Sequence, residues 1–296
     1  MSIPITLLPQ AASVLQGQDP QGYNTIAALG LLAWDIAITI DEEILLIWGS
    51  KCTLSTFLYF GIRYGALVIQ TLNGVFYVNV SGVFIPSVVS CAFWVWFNAL
   101  LGYVVHVCVD ILFVMRVYAF YGRDNRLLGI LCFLLAGAAI PALILGIFTL
   151  LENQTTPNPF PPRIQLPSCL LLTNTSIFAS RIWIAELIFQ SLLVILITWR
   201  FIAEWRVKMA LPELFIIFTR DGVWAFFVIF GTMCFFTIGF QISLSSGATA
   251  AIWIFTIFAI CGNRLILNLR SAAVQRAMTH PRSMDIEIQA LSQLSA

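Results

Sequence analysis

The stretch VVSCAFWVWFNALLGYVVHVCVDILFVMR, residues 88–116, decides how this chain is read. It runs past the ~20 residues that a helix needs, at 1.5 Å per residue, to cross a ~30 Å hydrocarbon core. Its polar interruptions Asn98, His106 and Asp110 are too few to describe a soluble helix face. Working outward, comparable stretches lie at 24–48, 54–72, 127–151, 182–202, 223–244 and 248–267. The expected fold is therefore all-α, an integral membrane bundle of seven transmembrane helices. The first stretch has a polar break at Asp41 to Glu43, where it either continues or leaves 44–48 along the interface.

Composition agrees. Apolar residues make up 60% of the 296 and charged residues only 10%, far below the ~25% of soluble domains. The net charge of +1 and the lack of a basic, aromatic-interleaved patch exclude nucleic acid as a partner. A lipid bilayer is the partner that this composition demands. The first 22 residues lack the basic start of a cleaved signal peptide, so the first span is expected to act as its own insertion signal.

Charge asymmetry orients the chain. Lys51, Arg116, Arg123, Arg126, Arg200, Arg206, Lys208, Arg220, Arg264, Arg270, Arg276 and Arg282 fall on one side, and only Arg163 and Arg181 on the other. The positive-inside tendency then predicts an outside N-terminus and a cytosolic C-terminus. The sequons at Asn79, Asn153 and Asn174 all fall in connections expected outside and are glycosylation candidates. The predicted organisation is an extracellular segment over 1–22, the bundle over 23–270 and a cytosolic tail over 271–296. The membrane expected is the plasma membrane or another membrane of the secretory pathway.

The seven cysteines show no metal spacing. Cys91, at the outer end of the third span, and Cys169, in the long outer loop with TTPNPFPP (155–162), lie where disulfides are permitted. They are expected to form a staple; the alternative is two unrelated thiols.

Ionisable groups at membrane depth are costly and either pair or work. Asp35, Arg63 and Asp110 lie at similar depth, about 9–12 Å in, so an ion pair or triad across the first three spans is expected. A pairing that switches with conformation or protonation is the sharper alternative. His106 and Asp110 share a face at i, i+4 spacing, and Glu186 with Gln190 make a similar face on the fifth span. With Asn98, the residues His106, Glu186 and Gln190 define a possible ligand cavity, against the plainer reading of interhelical hydrogen bonds.

Catalytic signals are lacking: there is no HExxH, GxSxG or phosphate-cradling glycine loop. One of the two histidines, His280, lies in the tail, which argues against a multi-histidine metal centre. Lys51 and Lys208 sit in loops, so no buried lysine is available for a retinal Schiff base. Neither an enzyme nor a resident cofactor or metal is expected.

YNTIAALGLLAWDIAITIDEEILLIW (23–48), followed by FLYFGIRYGAL (57–67), resembles the domain that defines the domain-of-unknown-function family 6533. The family-defining element spans about residues 23–72, and Asp35, Thr39, Glu43, Trp48, Arg63 and Tyr64 stand at its marked positions. MRVYAFYGR (115–123), TRDGVWAFFVIF (219–230) and RLILNLR (264–270) are similar to its later landmarks, except that Ala225 stands where relatives commonly carry Tyr. The resemblance implies a fungal multi-span membrane protein and attaches no activity to it.

Arg116, Tyr118, Arg123, Arg220 and Asp221 define a cytosolic face, either as interface anchors or as a docking surface for a cytosolic signalling protein. Asp221 is expected to cap the sixth helix. Three functions stay open: a receptor-like protein sensing an extracellular ligand, which is preferred; a transporter or channel along the intramembrane polar groups; and a structural membrane protein.

Overall fold

A computed structural model describes residues 18–49, 53–80, 88–155, 177–207, 213–242 and 244–279. Seven α-helices account for nearly all of them: α1 (Gln18–Glu43), α2 (Leu54–Val80), α3 (Val88–Phe120), α4 (Asn125–Thr155), α5 (Ile177–Val207), α6 (Glu213–Ile242) and α7 (Leu244–Thr279). Among the described residues, four stretches are long and apolar enough to cross a membrane: Gln21–Trp48, Phe93–Phe120, Asn125–Phe148 and Thr249–Ser271.

The helices outrun the apolar stretches, because hydrogen bonding inside a helix does not stop where hydrocarbon does. At Asp41 to Glu43 the chain stays helical and continues as a π turn over Ile44–Trp48. The wider turn sets residues five apart on one face, so Trp48 Nε1 donates to Glu43 at 3.1 Å. Helix α6 begins at Glu213, which places Asp221 inside it. The expected capping role is thereby overturned, since the cap position precedes the helix. Helix α7 runs on to Thr279, past the last apolar stretch.

Side-chain contacts give the register. Asn24 meets Trp253, Asp35 meets Arg264 and Leu46 meets Arg270, so α1 and α7 run parallel. Helix α2 runs against both: Arg63 meets Thr39 on α1, and Gln70 meets Thr256 on α7. Sequential helices pack side by side and α7 returns to α1, closing a ring. Helix α3 crosses the interior and touches α2, α4, α5 and α7.

Burial follows that plan. Of the most apolar window, 56% is buried in α3 and 61% in α7, against 6% in the peripheral α4. Close approach is achieved with small residues. A Cβ at Gly102 would lie 2.7 Å from Phe255 on α7, and one at Gly65 would lie 2.8 Å from Val105 on α3. Phe113 and Phe226 stack between α3 and α6 with centroids 3.9 Å apart.

The exterior is apolar and the interior is where polar groups collect. Trp34, Phe57, Phe133, Phe148, Trp199 and Trp224 are exposed, while Asp35, Glu43, Arg63, Asp110, Glu186 and Gln190 are buried. That inversion of the soluble pattern makes this a membrane protein, with a lipid bilayer against its outer face. Buried threonines are satisfied along their own helices: Thr25, Thr39, Thr232 and Thr237 each donate to the carbonyl four residues back.

Candidate functional site

The buried polar groups form two sets. The first lies on the α1–α2–α7 seam. Arg63 is wholly buried and its Nε stands 3.0 Å from Glu43 Oε2. The same guanidinium donates to Thr39 Oγ1 at 2.8 Å and to the Ile36 carbonyl at 3.2 Å, and lies over the Tyr59 ring. Glu43 also accepts from Tyr64 Oη at 2.9 Å. About two turns of α1 from Glu43, Arg264 Nε and Nη2 each stand 2.8 Å from Asp35 Oδ1. Arg270 closes the seam, donating to the Leu46 carbonyl at 2.8 Å and to Thr56 at 2.6 Å.

This corrects the expected Asp35–Arg63–Asp110 triad: Arg63 pairs with Glu43, Asp35 with Arg264, and Asp110 faces elsewhere. The reason is angular. A helix turns 100° per residue, and α3 presents Val105 and Cys108 to α2. Asp110 is therefore rotated about 200° from Cys108, away from Arg63. On α1, Thr39 and Glu43 face α2 while Asp35 faces α7. Similar depth was legible, but depth without azimuth does not assign partners.

The second set joins α3 to α5. His106 Nε2 stands 3.2 Å from Glu186 Oε1 and 3.6 Å from Asp110 Oδ2. Gln190, fully buried, donates its Nε2 to Asp110 Oδ1. The imidazole stacks on Phe258 of α7, with centroids 5.6 Å apart. Three of the four expected cavity residues thus converge, with Asp110 added. Asn98 does not join them: its Nδ2 donates at 3.0 Å to the Trp94 carbonyl of its own helix. His106, Asp110 and Glu186 each offer a ligand atom, all within 4.8 Å of one another. Sequence reading missed that donor set, because Glu186 reaches the i, i+4 pair only through tertiary packing.

At the arginine-rich end, Arg116 is buried and donates its Nη2 to the Leu265 carbonyl of α7 at 2.7 Å. That corrects its expected place on an open face: the guanidinium points inward, where the second lone pair of a helix carbonyl accepts it. Tyr118 donates to Asn125 Oδ1 at 3.0 Å, and Tyr121 to the Leu196 carbonyl of α5 at 3.0 Å. Arg123 is exposed. It follows Gly122 in the tight α3–α4 turn, with φ of 68° at Gly122 and 64° at Arg123.

The side chains of Arg220, Asp221, Cys91, Asn79 and Asn153 lie outside the described residues, as do Cys169 and Asn174 altogether. The expected disulfide and sequons therefore lie there too.

Comparison with characterised proteins finds no match, and neither does comparison with solved structures. A family match covers residues 23–68, the helices α1 and α2 that carry Asp35, Thr39, Glu43, Trp48, Arg63 and Tyr64. In that stretch, whose marked residues build the α1–α2–α7 seam, the chain carries the domain of a family of unknown function, DUF6533.

Proposed function

We propose that the chain is a receptor-like protein with seven spans, an outside N-terminus and a cytosolic C-terminus, which couples an extracellular ligand to a cytosolic signalling partner. The carrying observation is the course of α3. It crosses the interior and holds His106 and Asp110 against α5. Further along, the same helix fixes α7 through Arg116, and Tyr121 just past its end fixes α5. A shift or rotation of α3 at His106 and Asp110 reaches the arginine-rich end as a change in those two contacts. The alternating helix directions and the arginine count support the orientation. On this reading Asn79, Asn153, Asn174, Cys91 and Cys169 are outside, and Tyr118, Arg123, Arg220 and Asp221 are on the cytosolic face. The likeness to G-protein-coupled receptors is one of architecture. The reading is non-enzymatic.

A transporter along the intramembrane charges is less well supported. Asp35 and Arg63 are engaged by Arg264 and Glu43. Gly262 packs against Ile62 and Leu112 where α2, α3 and α7 meet, between the seam and the second set.

The test is a proximity-labelling enzyme fused to the C-terminus in cells that make the protein. Labelling of G-protein subunits or other signalling proteins, reduced by Arg123→Glu at matched expression, is the expected result. Labelling of lumenal or wall proteins would overturn the orientation. Cytosolic labelling unchanged by Arg123→Glu and free of signalling proteins would overturn the receptor reading.

A further inference from the structure

Each buried acid of the α1–α2–α7 seam meets an arginine. The two acids between α3 and α5 do not: among the described residues, His106 is the only basic group within ion-pair distance of Asp110 or Glu186. We propose that His106, Asp110 and Glu186 bind one divalent transition-metal ion of the zinc class, which clips α3 to α5.

Three observations carry this. The first is spacing. Donors bonded to a tetrahedral ion at about 2.0–2.2 Å lie about 3.3–3.6 Å from one another. His106 Nε2 is 3.2 Å from Glu186 Oε1 and 3.6 Å from Asp110 Oδ2. Both exceed the ~2.7–2.9 Å of a close charge-assisted hydrogen bond. The second is charge. A neutral imidazole, two carboxylates and a divalent cation sum to zero, the state that a low-dielectric interior favours.

The third is Gln190. Its amide is fully buried against Asp110, and its Oε1 has no hydrogen-bond partner among the described residues. The Nε2 holds the carboxylate in place, as groups behind metal ligands commonly do. The unpartnered oxygen beside it is an acceptor for a metal-bound water at the fourth position. One nitrogen with carboxylate oxygens suits zinc or manganese, while calcium asks for 6–8 oxygens that this site does not supply. The Phe258 ring stacks on the imidazole and covers one of its faces.

The experiment uses the full chain in lipid nanodiscs, stripped with a chelator, reloaded with zinc chloride, desalted and assayed for bound metal. About one zinc per chain and a thermal midpoint raised by several degrees on loading are expected. His106→Ala and Glu186→Gln should each lose that zinc, while His280→Ala retains it. Cobalt(II) loading of the unmutated chain gives a second readout that needs no variant to fold: intense visible absorption marks tetrahedral coordination. Wild-type protein that retains less than about a tenth of an equivalent overturns the site. So does zinc equal in His106→Ala, loss of zinc confined to His280→Ala, or a weak, octahedral cobalt spectrum. The receptor reading does not depend on this ion and survives its absence.

Discussion

The α1–α2–α7 seam and the α3–α5 cluster bury the same kinds of atoms and solve the problem differently. In the seam, Glu43 faces Arg63 and Asp35 faces Arg264, so each buried acid has an arginine of its own. Side chains of α1, its π turn and α2 crowd round the first pair, namely Thr39, Trp48, Tyr59 and Tyr64, and Thr56 holds Arg270. In the cluster, Asp110 and Glu186 share one imidazole and one amide. A balanced buried network holds helices in one arrangement, and breaking it is expensive. An unbalanced one takes its compensating charge from protons or from a bound cation. The family-matched stretch, residues 23–68, supplies most of the balanced seam and none of the unbalanced cluster.

The strongest challenge to this contrast is Arg63→Ala, which leaves Glu43 buried beside no cation. A loss of about 3–5 kcal/mol in unfolding free energy is expected in mixed-micelle denaturation. Lysine at the same position should recover only part of it, because it lacks the fork that reaches Glu43 and Thr39 together. Next in size, Gly102→Ala forces a methyl into Phe255 and pushes α3 off α7. It should cost about 1–3 kcal/mol by the same assay. Arg264→Gln is milder: the side chain is 52% exposed, so water already screens its pairing with Asp35. About 1 kcal/mol is expected, and a loss as large as that of Arg63→Ala would mean that the seam is a single unit. Smallest is Glu186→Gln in the metal-free chain. Removing one of two crowded carboxylates should change stability by less than about 1 kcal/mol in either direction. A loss matching that of Arg63→Ala would show the cluster to be as structural as the seam, and the comparison would fail.

Much of the cluster was legible along the chain and little of the seam's pairing was. His106 with Asp110, and Glu186 with Gln190, are local i, i+4 patterns, so each half of the cluster could be read from one helix. Their meeting could be anticipated because polar faces in apolar helices seek one another. The seam is harder. Its partners stand 20 residues apart for Arg63 and Glu43, and 229 apart for Arg264 and Asp35. Hydropathy reports depth, whereas pairing needs the rotation of each helix about its own axis. Glu43 was further obscured because it sits in what reads as a polar break. The π turn that follows keeps it in the helix and turns it inward. Arg116 misled in a related way: an arginine at the end of an apolar stretch looks like an interface anchor until the Leu265 carbonyl is seen beside it.

The membrane class was settled by the chain alone, because transfer of helical hydrocarbon into lipid is a local property summed over about 20 residues. So was the uneven distribution of Lys and Arg. Which arginine meets which acid, and that α3 rather than another helix takes the interior, were decided only in three dimensions. Ring closure through α1 and α7, and small residues such as Gly65 and Gly102, set the distances and rotations there. Long-range electrostatic partners depend on those rotations to within a fraction of a turn, and no periodicity within one helix encodes its angle relative to another.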